Sequence, residues 1–214
     1  MRITLDKKDL LLYAVTDRKC IGSRDFYETI ENALKGGVTI LQLREKELSE
    51  SQLVEEAVKV KDICRRYNVP LIINENYSAA LKAGADGVHV GIEDTPVTEI
   101  RRICGKNFII GATAKTVAQA RQAEADGADY LGVGAVFPSP TKTNAIRIDN
   151  AQLRDICSSV SIPAVAIGGI TLENASTLTG SGICGIAVVS ALFGTGDTKR
   201  SAEALAERLR EIIR

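Results

Sequence analysis

The residues with the clearest chemical potential are Gln42, Arg44 and Lys46, within the run Thr39-Ile-Leu-Gln-Leu-Arg-Glu-Lys46. Apolar Ile40, Leu41 and Leu43 read as a buried strand, and Arg44, Glu45 and Lys46 fall where that strand must end. Ser49-Glu-Ser-Gln52 then has the pattern that opens a helix. The charges therefore occupy a short strand-to-helix connection, the part of α/β folds that usually carries chemistry. Two cations on a rigid strand end suggest a grip on phosphate.

Other candidate strand ends extend the set. Asn74-Glu75 follows one strand, Gly91-Ile-Glu-Asp94 the next, and Thr113 with Lys115 the one after. Farther on come Phe137-Pro-Ser-Pro-Thr-Lys142, Gly168-Gly169 and Val189-Ser190. These form two poles. The glycine pair and the serine match a barrel phosphate site, in which backbone N–H groups and a helix start hold a phosphate monoester. The other pole is charged. Glu75 and Asp94 can share a hard cation such as Mg2+, which takes one or two protein carboxylates plus substrate phosphates. Arg44, Lys46 and Lys142 beside them would neutralise a diphosphate, while Gln42, Asn74 and Thr113 offer hydrogen bonds to a heteroaromatic ring. Any one of these charges is equally well read as a solvated loop residue; five on one rim argue for a site. His89 is the only histidine and lies between Val88 and Val90, so it reads as a packed strand residue, and a Ser-His-Asp triad is excluded.

The elements that must position these groups follow from periodicity. Short apolar runs predict strands at Leu11–Thr16, Val38–Leu43, Leu71–Ile73, Gly87–Val90, Phe108–Gly111, Tyr130–Gly134, Ala164–Ile167 and Cys184–Val189. Between and after them, helical spacing predicts Phe26–Leu34, Gln52–Tyr67, Tyr77–Ala83, Val97–Ile103, Val117–Asp126, Gln152–Cys157, Leu172–Leu178 and Ala202–Ile213. Strands that are apolar throughout belong to parallel sheets covered on both faces. An internal repeat supports the count: 82–90 resembles 125–133, with looser relatives at 34–40 and 178–186. The expected fold is α/β, a single (β/α)8 TIM barrel spanning 1–214. An open doubly wound sheet is the alternative, but no dinucleotide glycine fingerprint follows the first strand.

Composition narrows the partners. Among 214 residues, 27 Lys and Arg balance 27 Asp and Glu, so a nucleic-acid partner is not expected. The N-terminus lacks the apolar core of a signal peptide, and no run is long enough to span a bilayer, so no membrane partner and a cytoplasmic location are expected. The 5 cysteines are odd in number and widely scattered, which argues against disulfides, and Cys64 and Cys184 read as small buried thiols. Nothing in the pattern selects an oligomeric state.

In order along the chain, Gln42-Leu-Arg-Glu-Lys46, Ile72-Ile-Asn74, Gly84-Ala-Asp-Gly-Val-His-Val-Gly91 with Glu93-Asp94-Thr-Pro96, Phe137-Pro-Ser-Pro-Thr-Lys142, Ala166-Ile-Gly-Gly-Ile170 and Val188-Val-Ser-Ala191 resemble the thiamine phosphate synthase (thiamine-phosphate pyrophosphorylase) family, over about Leu12 to Phe193. The resemblance implies a transferase of two small-molecule substrates, a pyrimidine diphosphate and a thiazole phosphate, with Mg2+ as cofactor. Diphosphate loss to a pyrimidine-stabilised cation would come first, so no protein nucleophile is needed. Carried over by motif, Gln42, Arg44, Lys46 and Asn74 fall in the pyrimidine diphosphate site and Lys142 at the diphosphate-binding lysine; Arg44, Lys46 and Lys142 are the implied catalytic residues. Asp94 matches a magnesium ligand, with Glu75 where the other stands. Thr113 matches a hydroxyl near the pyrimidine, and Ser139, Thr141, Gly169, Val189 and Ser190 match the thiazole phosphate site.

The chain departs from the family pattern at Glu75, where aspartate is usual. The extra methylene carries the carboxylate outward by about 1–1.5 Å, against Mg2+ contacts of roughly 2.0–2.1 Å, so Glu75 is expected to bind the metal directly or through water. Thr113 stands where serine is common, Lys115 replaces a frequent histidine, and Thr143-Asn-Ala-Ile-Arg-Ile-Asp149 lacks the usual proline- and glycine-rich continuation. The competing readings are a thiazole tautomerase, a non-catalytic sensor of a phosphorylated ligand, and an isomerase of a phosphorylated sugar-like substrate.

Overall fold

The strands are short, largely apolar runs, and the computed structural model, which describes residues 5–138 and 147–213, closes eight of them into one ring. They are β1 (Leu12–Val15), β2 (Ile40–Leu43), β3 (Leu71–Asn74), β4 (Gly87–Val90), β5 (Ile109–Ala114), β6 (Tyr130–Gly134), β7 (Ala164–Ile167) and β8 (Gly185–Val188). All neighbours are parallel, and β8 pairs back onto β1 through Leu12–Ile186 and Tyr13–Ala187. That closure removes the open-sheet alternative. The helices are α1 (Arg18–Ile21), α2 (Phe26–Lys35), α3 (Glu50–Arg66), α4 (Tyr77–Ala83), α5 (Val97–Cys104), α6 (Val117–Ala125), α7 (Asn150–Ser158), α8 (Ser190–Phe193) and α9 (Thr198–Ile212).

The internal repeat has a physical cause. In each copy a glycine of positive φ (Gly37, Gly84, Gly127, Gly182) precedes by two positions the residue that leads into an even-numbered strand. A side chain would be strained in that conformation. The leading residue then holds the start of the preceding strand. Asp86 accepts the Leu71 N–H and Asp129 the Ile110 N–H, both at 2.7 Å, and Thr39 Oγ1 accepts the Leu12 N–H at 3.0 Å. Cys184 Sγ instead donates to the Ala164 carbonyl. Lys61 and Arg101 neutralise the two aspartates from α3 and α5. The repeat thus sets strand register in pairs at the amino end of the barrel, opposite the chemical rim.

Side chains alternate across each strand, giving two cores. One lies between the strands and the helices and includes Leu41, Leu43, Ile73, Val88, Leu131 and Ile186. The other fills the barrel and includes Tyr13, Ile40, Ile72, Ile109, Tyr130 and Val165. Leu10, from a 3-10 turn at Lys7–Leu10, packs with this inner core. Helix starts are capped by Asp25, Ser49, Asn76, Thr116, Asp149 and Asp197, each accepting an N–H three residues on.

The structure corrects the expected elements in places. The expected helix Leu172–Leu178 is only a 3-10 turn at Ala175–Leu178. Asn174 explains the difference: its Oδ1 accepts the Thr171 N–H while its Nδ2 donates to the Gly169 carbonyl, a local turn that competes with helix. Strand β5 runs on to Ala114, so Thr113 lies inside it rather than beyond it. Helices α1 and α8 are 4 residues each, too short to show a periodicity in sequence. Among the described residues no helix is long and apolar enough to cross a membrane, and all five cysteines are free thiols.

Candidate active site

Parallel closure places the carboxyl ends of all eight strands on one rim. Strand alternation then sorts the first charged run. Gln42 is inward and only 5 % exposed. Arg44 shares its parity; its backbone N–H donates to Thr16 Oγ1 at 2.9 Å, and its guanidinium lies 3.5 Å from Asp17. Glu45 turns the other way, onto Arg18 at 2.9 Å. Burial pushes the Glu45 carboxyl above its usual range even though Arg18 opposes the shift. Glu45 therefore belongs to the wall and its neighbours to the rim. Lys46 is exposed, with Nζ 3.9 Å from Glu75.

On β3 and β4 the carboxylates come to adjacent strand ends. Asn74 is level with His89 across the ladder, and the Glu75 N–H donates to the His89 carbonyl at 2.9 Å. Glu75 has φ 55, a left-handed conformation uncommon for glutamate. Asp94 folds back so that Oδ2 accepts the Gly91 N–H at 2.6 Å. No cluster of three or more His, Cys, Asp or Glu side chains suited to a metal occurs among the described residues. Two hard carboxylates on neighbouring strand ends do suit Mg2+, which takes few protein ligands.

The second pole is built on close backbone approach. Gly168 and Gly169 both have positive φ, and a Cβ on Gly169 would run into the Phe137 and Pro138 carbonyls. The Phe137 N–H donates to Gly168 O and the Val136 N–H to Ile167 O, zipping the chain after β6 onto the end of β7. Beside it, Val189 precedes α8, whose first residue is Ser190; early N–H groups of a helix lack intrahelical partners and suit an anion. Arg24 holds this corner from below, donating to the carbonyls of Cys20, Ile21, Phe193 and Thr195 and to Thr198 Oγ1. Ser139, Thr141 and Lys142 lie outside the described residues.

Across the barrel interior runs a chain of hydrogen bonds that sequence reasoning missed. Gln42 Nε2 donates to the Tyr13 hydroxyl at 2.8 Å. The Tyr13 and Tyr130 hydroxyls are 2.7 Å apart, Tyr130 is 3.1 Å from His89 Nδ1, and His89 Nε2 is 3.1 Å from Thr113 Oγ1. The space is made by glycine: a Cβ on Gly111 would collide with Tyr130 and His89, and one on Gly132 would press on the imidazole. Burial, chiefly, pushes both phenols above their usual range and His89 down to about 4, the last opposed by the Asp94 charge. All three are therefore neutral near pH 7. His89 is packed in its strand as expected, but it also joins Thr113 to the core. The available signal was two tyrosines in otherwise apolar strands, one of them level with Gly111 on the neighbouring strand.

The chain matches the thiamine monophosphate synthase family model over residues 12–192. It is 48% identical over 201 residues to a thiamine-phosphate synthase of Ruminiclostridium cellulolyticum, covering 94% of this chain and 96% of the relative. It is 46% identical over 197 residues to one of Alkaliphilus oremlandii, covering 92% and 94%. Its fold superposes with a TM-score of 0.90 on a thiamine phosphate pyrophosphorylase from Pyrococcus furiosus, at 36% identity, covering 97% of this chain and 99% of that one.

Proposed function

The chain belongs to the thiamine monophosphate synthase family, and from that premise we propose that its rim joins hydroxymethylpyrimidine diphosphate to hydroxyethylthiazole phosphate, releasing pyrophosphate and forming thiamine phosphate. The enzyme is a transferase. The supporting observation is that Gln42, Arg44 and Asn74 stand on one side of a closed rim and Gly169 with Ser190 on the other, at the ends of β2, β3, β7 and β8.

The chemistry follows from this division. The C–O bond of the pyrimidine diphosphate breaks with its electron pair leaving on pyrophosphate. The thiazole nitrogen lone pair then forms the new C–N bond to the pyrimidine-stabilised cation, and no proton changes hands. Gln42, Asn74 and Thr113 orient the pyrimidine ring. Arg44, Lys46 and Lys142 take up the charge that grows on the departing diphosphate, which is stabilisation where it lowers the barrier. Gly169 and the amides at Val189 and Ser190, with Ser139 and Thr141, hold the thiazole phosphate and so aim its ring nitrogen, converting an encounter into a positioned attack. Glu75 and Asp94 would hold Mg2+, which when bound supplies further neutralisation of the diphosphate.

The test is a single assay: purified protein with both substrates and Mg2+, scored for pyrophosphate release. Release that depends on the thiazole phosphate is expected. Release without it, or none at all, overturns the reading.

A further inference from the structure

The structure assigns the buried chain Gln42–Tyr13–Tyr130–His89–Thr113 a role as a polarity relay, in which Tyr13, Tyr130 and His89 are positioning residues that fix which end of the pyrimidine pocket accepts a hydrogen bond and which end donates one. The inference rests on the pyrimidine assignment of Gln42 and Thr113 made above and deepens it.

The direction follows from counting donors. Gln42 turns its Nε2, a donor only, toward the Tyr13 hydroxyl. Tyr13 must then spend its own proton on its other neighbour, Tyr130. Tyr130, already accepting, donates to His89 Nδ1, so that nitrogen carries the lone pair. In a neutral imidazole the proton is then on Nε2, which donates to Thr113 Oγ1. Reversing any single bond reverses all four. At the two ends the consequences are opposite: Gln42 keeps its carbonyl oxygen as a free acceptor, and the Thr113 hydroxyl, already accepting from His89, keeps its proton to donate. A ring that offers an amine N–H at one edge and a nitrogen lone pair at another meets both demands, as the aminopyrimidine half of thiamine does. A ring with oxo in place of the amine sets an acceptor against the free Gln42 carbonyl oxygen, and meets that demand only if the relay is turned round.

The relay is built rather than incidental. Its members come from β2, β1, β6, β4 and β5, so no local turn explains it. Both phenols are essentially fully buried, where an unpaired hydroxyl is costly. Gly111 and Gly132 exclude the side chains that would block the Tyr130–His89 contact. Each ring nitrogen of His89 has one hydroxyl partner, Tyr130 on one side and Thr113 on the other.

Because His89 is the only histidine, its tautomer is directly readable by nitrogen NMR of histidine-labelled protein. A single species at neutral pH with the proton on Nε2 is expected, in the free enzyme. A proton on Nδ1, or an exchanging mixture, overturns the proposal. Tyr130→Phe is expected to release His89 into a mixture and to reduce the kcat/KM preference for the amino ring over its oxo analogue by about tenfold, the worth of one oriented hydrogen bond. An unchanged preference in a folded variant overturns the relay's role in selectivity. If the variant fails to fold, the wild-type tautomer still decides. Should wild-type protein release no pyrophosphate, the functional reading fails while the tautomer result stands by itself.

Discussion

The hydroxyls of Tyr13 and Tyr130 meet at 2.7 Å although their strands, β1 and β6, share no ladder. The contact fastens opposite parts of the barrel wall through the interior, with the rings edge to face at 5.9 Å. Polar groups here replace the branched aliphatic layer that usually fills such a barrel.

That contact gives a stability prediction. Tyr13→Phe removes the partner of two buried groups, Gln42 Nε2 and the Tyr130 hydroxyl, and should cost about 1–3 kcal/mol. The double variant with Tyr130→Phe should lose less than the sum of the singles, because the second change removes a group already stranded. Denaturant midpoints measure both; strict additivity would mean that the hydroxyls do not interact.

His89 makes stability depend on pH. Its folded value of about 4 lies below the ordinary 6.5, so the unfolded chain binds the extra proton first. The favourable contribution is complete above pH 6.5 and is lost as pH falls from there to about 4. At pH 5 the loss is about 2 kcal/mol relative to pH 7. Urea unfolding of the protein and of His89→Gln at both values separates this from carboxylate titration: the decline between pH 7 and 5 should be shallower in the variant.

The strands, the barrel and the rim were legible because burial on two faces leaves continuous apolar runs, and because parallel topology puts every strand end on one side. The boundaries of β4, β6, β7 and α4 agree with the sequence reading to the residue. The helix after β7 was misread because Asn174 diverts the backbone into a turn that periodicity does not register. The relay was illegible for a different reason. Tyr13 and Tyr130 lie more than a hundred residues apart, and each looks like ordinary core until the ring closes. Glu45 sits between two rim cations in sequence, yet a two-residue period sends it to the wall.

Arg44→Ala should separate activity from stability. The guanidinium is partly exposed and its Asp17 contact is long, so unfolding should change by no more than about 1 kcal/mol. Turnover should fall by about a hundredfold or more, since the proposed role of this cation is to take up leaving-group charge in the transition state. Lys142→Ala should behave alike. Comparing kcat with the melting midpoint decides it; a variant that only unfolds marks the residue as structural.

Arg24 should act on one substrate only. It donates to carbonyls on both α1 and the α8 turn, which carries Val189 and Ser190. Arg24→Ala should therefore raise KM for the thiazole phosphate several-fold more than KM for the pyrimidine diphosphate, alongside a stability loss of about 2–4 kcal/mol from stranded carbonyls. Equal rises in both KM values would show a general loosening of the barrel instead.

Glu75 is the place where backbone and chemistry pull apart. At φ 55 it occupies a conformation that aspartate and asparagine tolerate better than glutamate. Its Lys46 contact is long and both side chains are about half exposed, so the ion pair contributes little to holding it there. Glu75→Asp should accordingly stabilise the fold by about 0.5 kcal/mol. It should also bind Mg2+ at least as tightly, since the shorter side chain draws the carboxylate back toward the strand end and Asp94. Glu75→Gln keeps the length and removes the charge, and should weaken Mg2+ binding about tenfold or more while leaving the unfolding midpoint nearly unchanged. Titration with Mg2+ in the presence of pyrophosphate reads both variants. Equal affinity in Glu75→Gln and the parent would take Glu75 out of the metal site and leave Asp94 as its protein carboxylate.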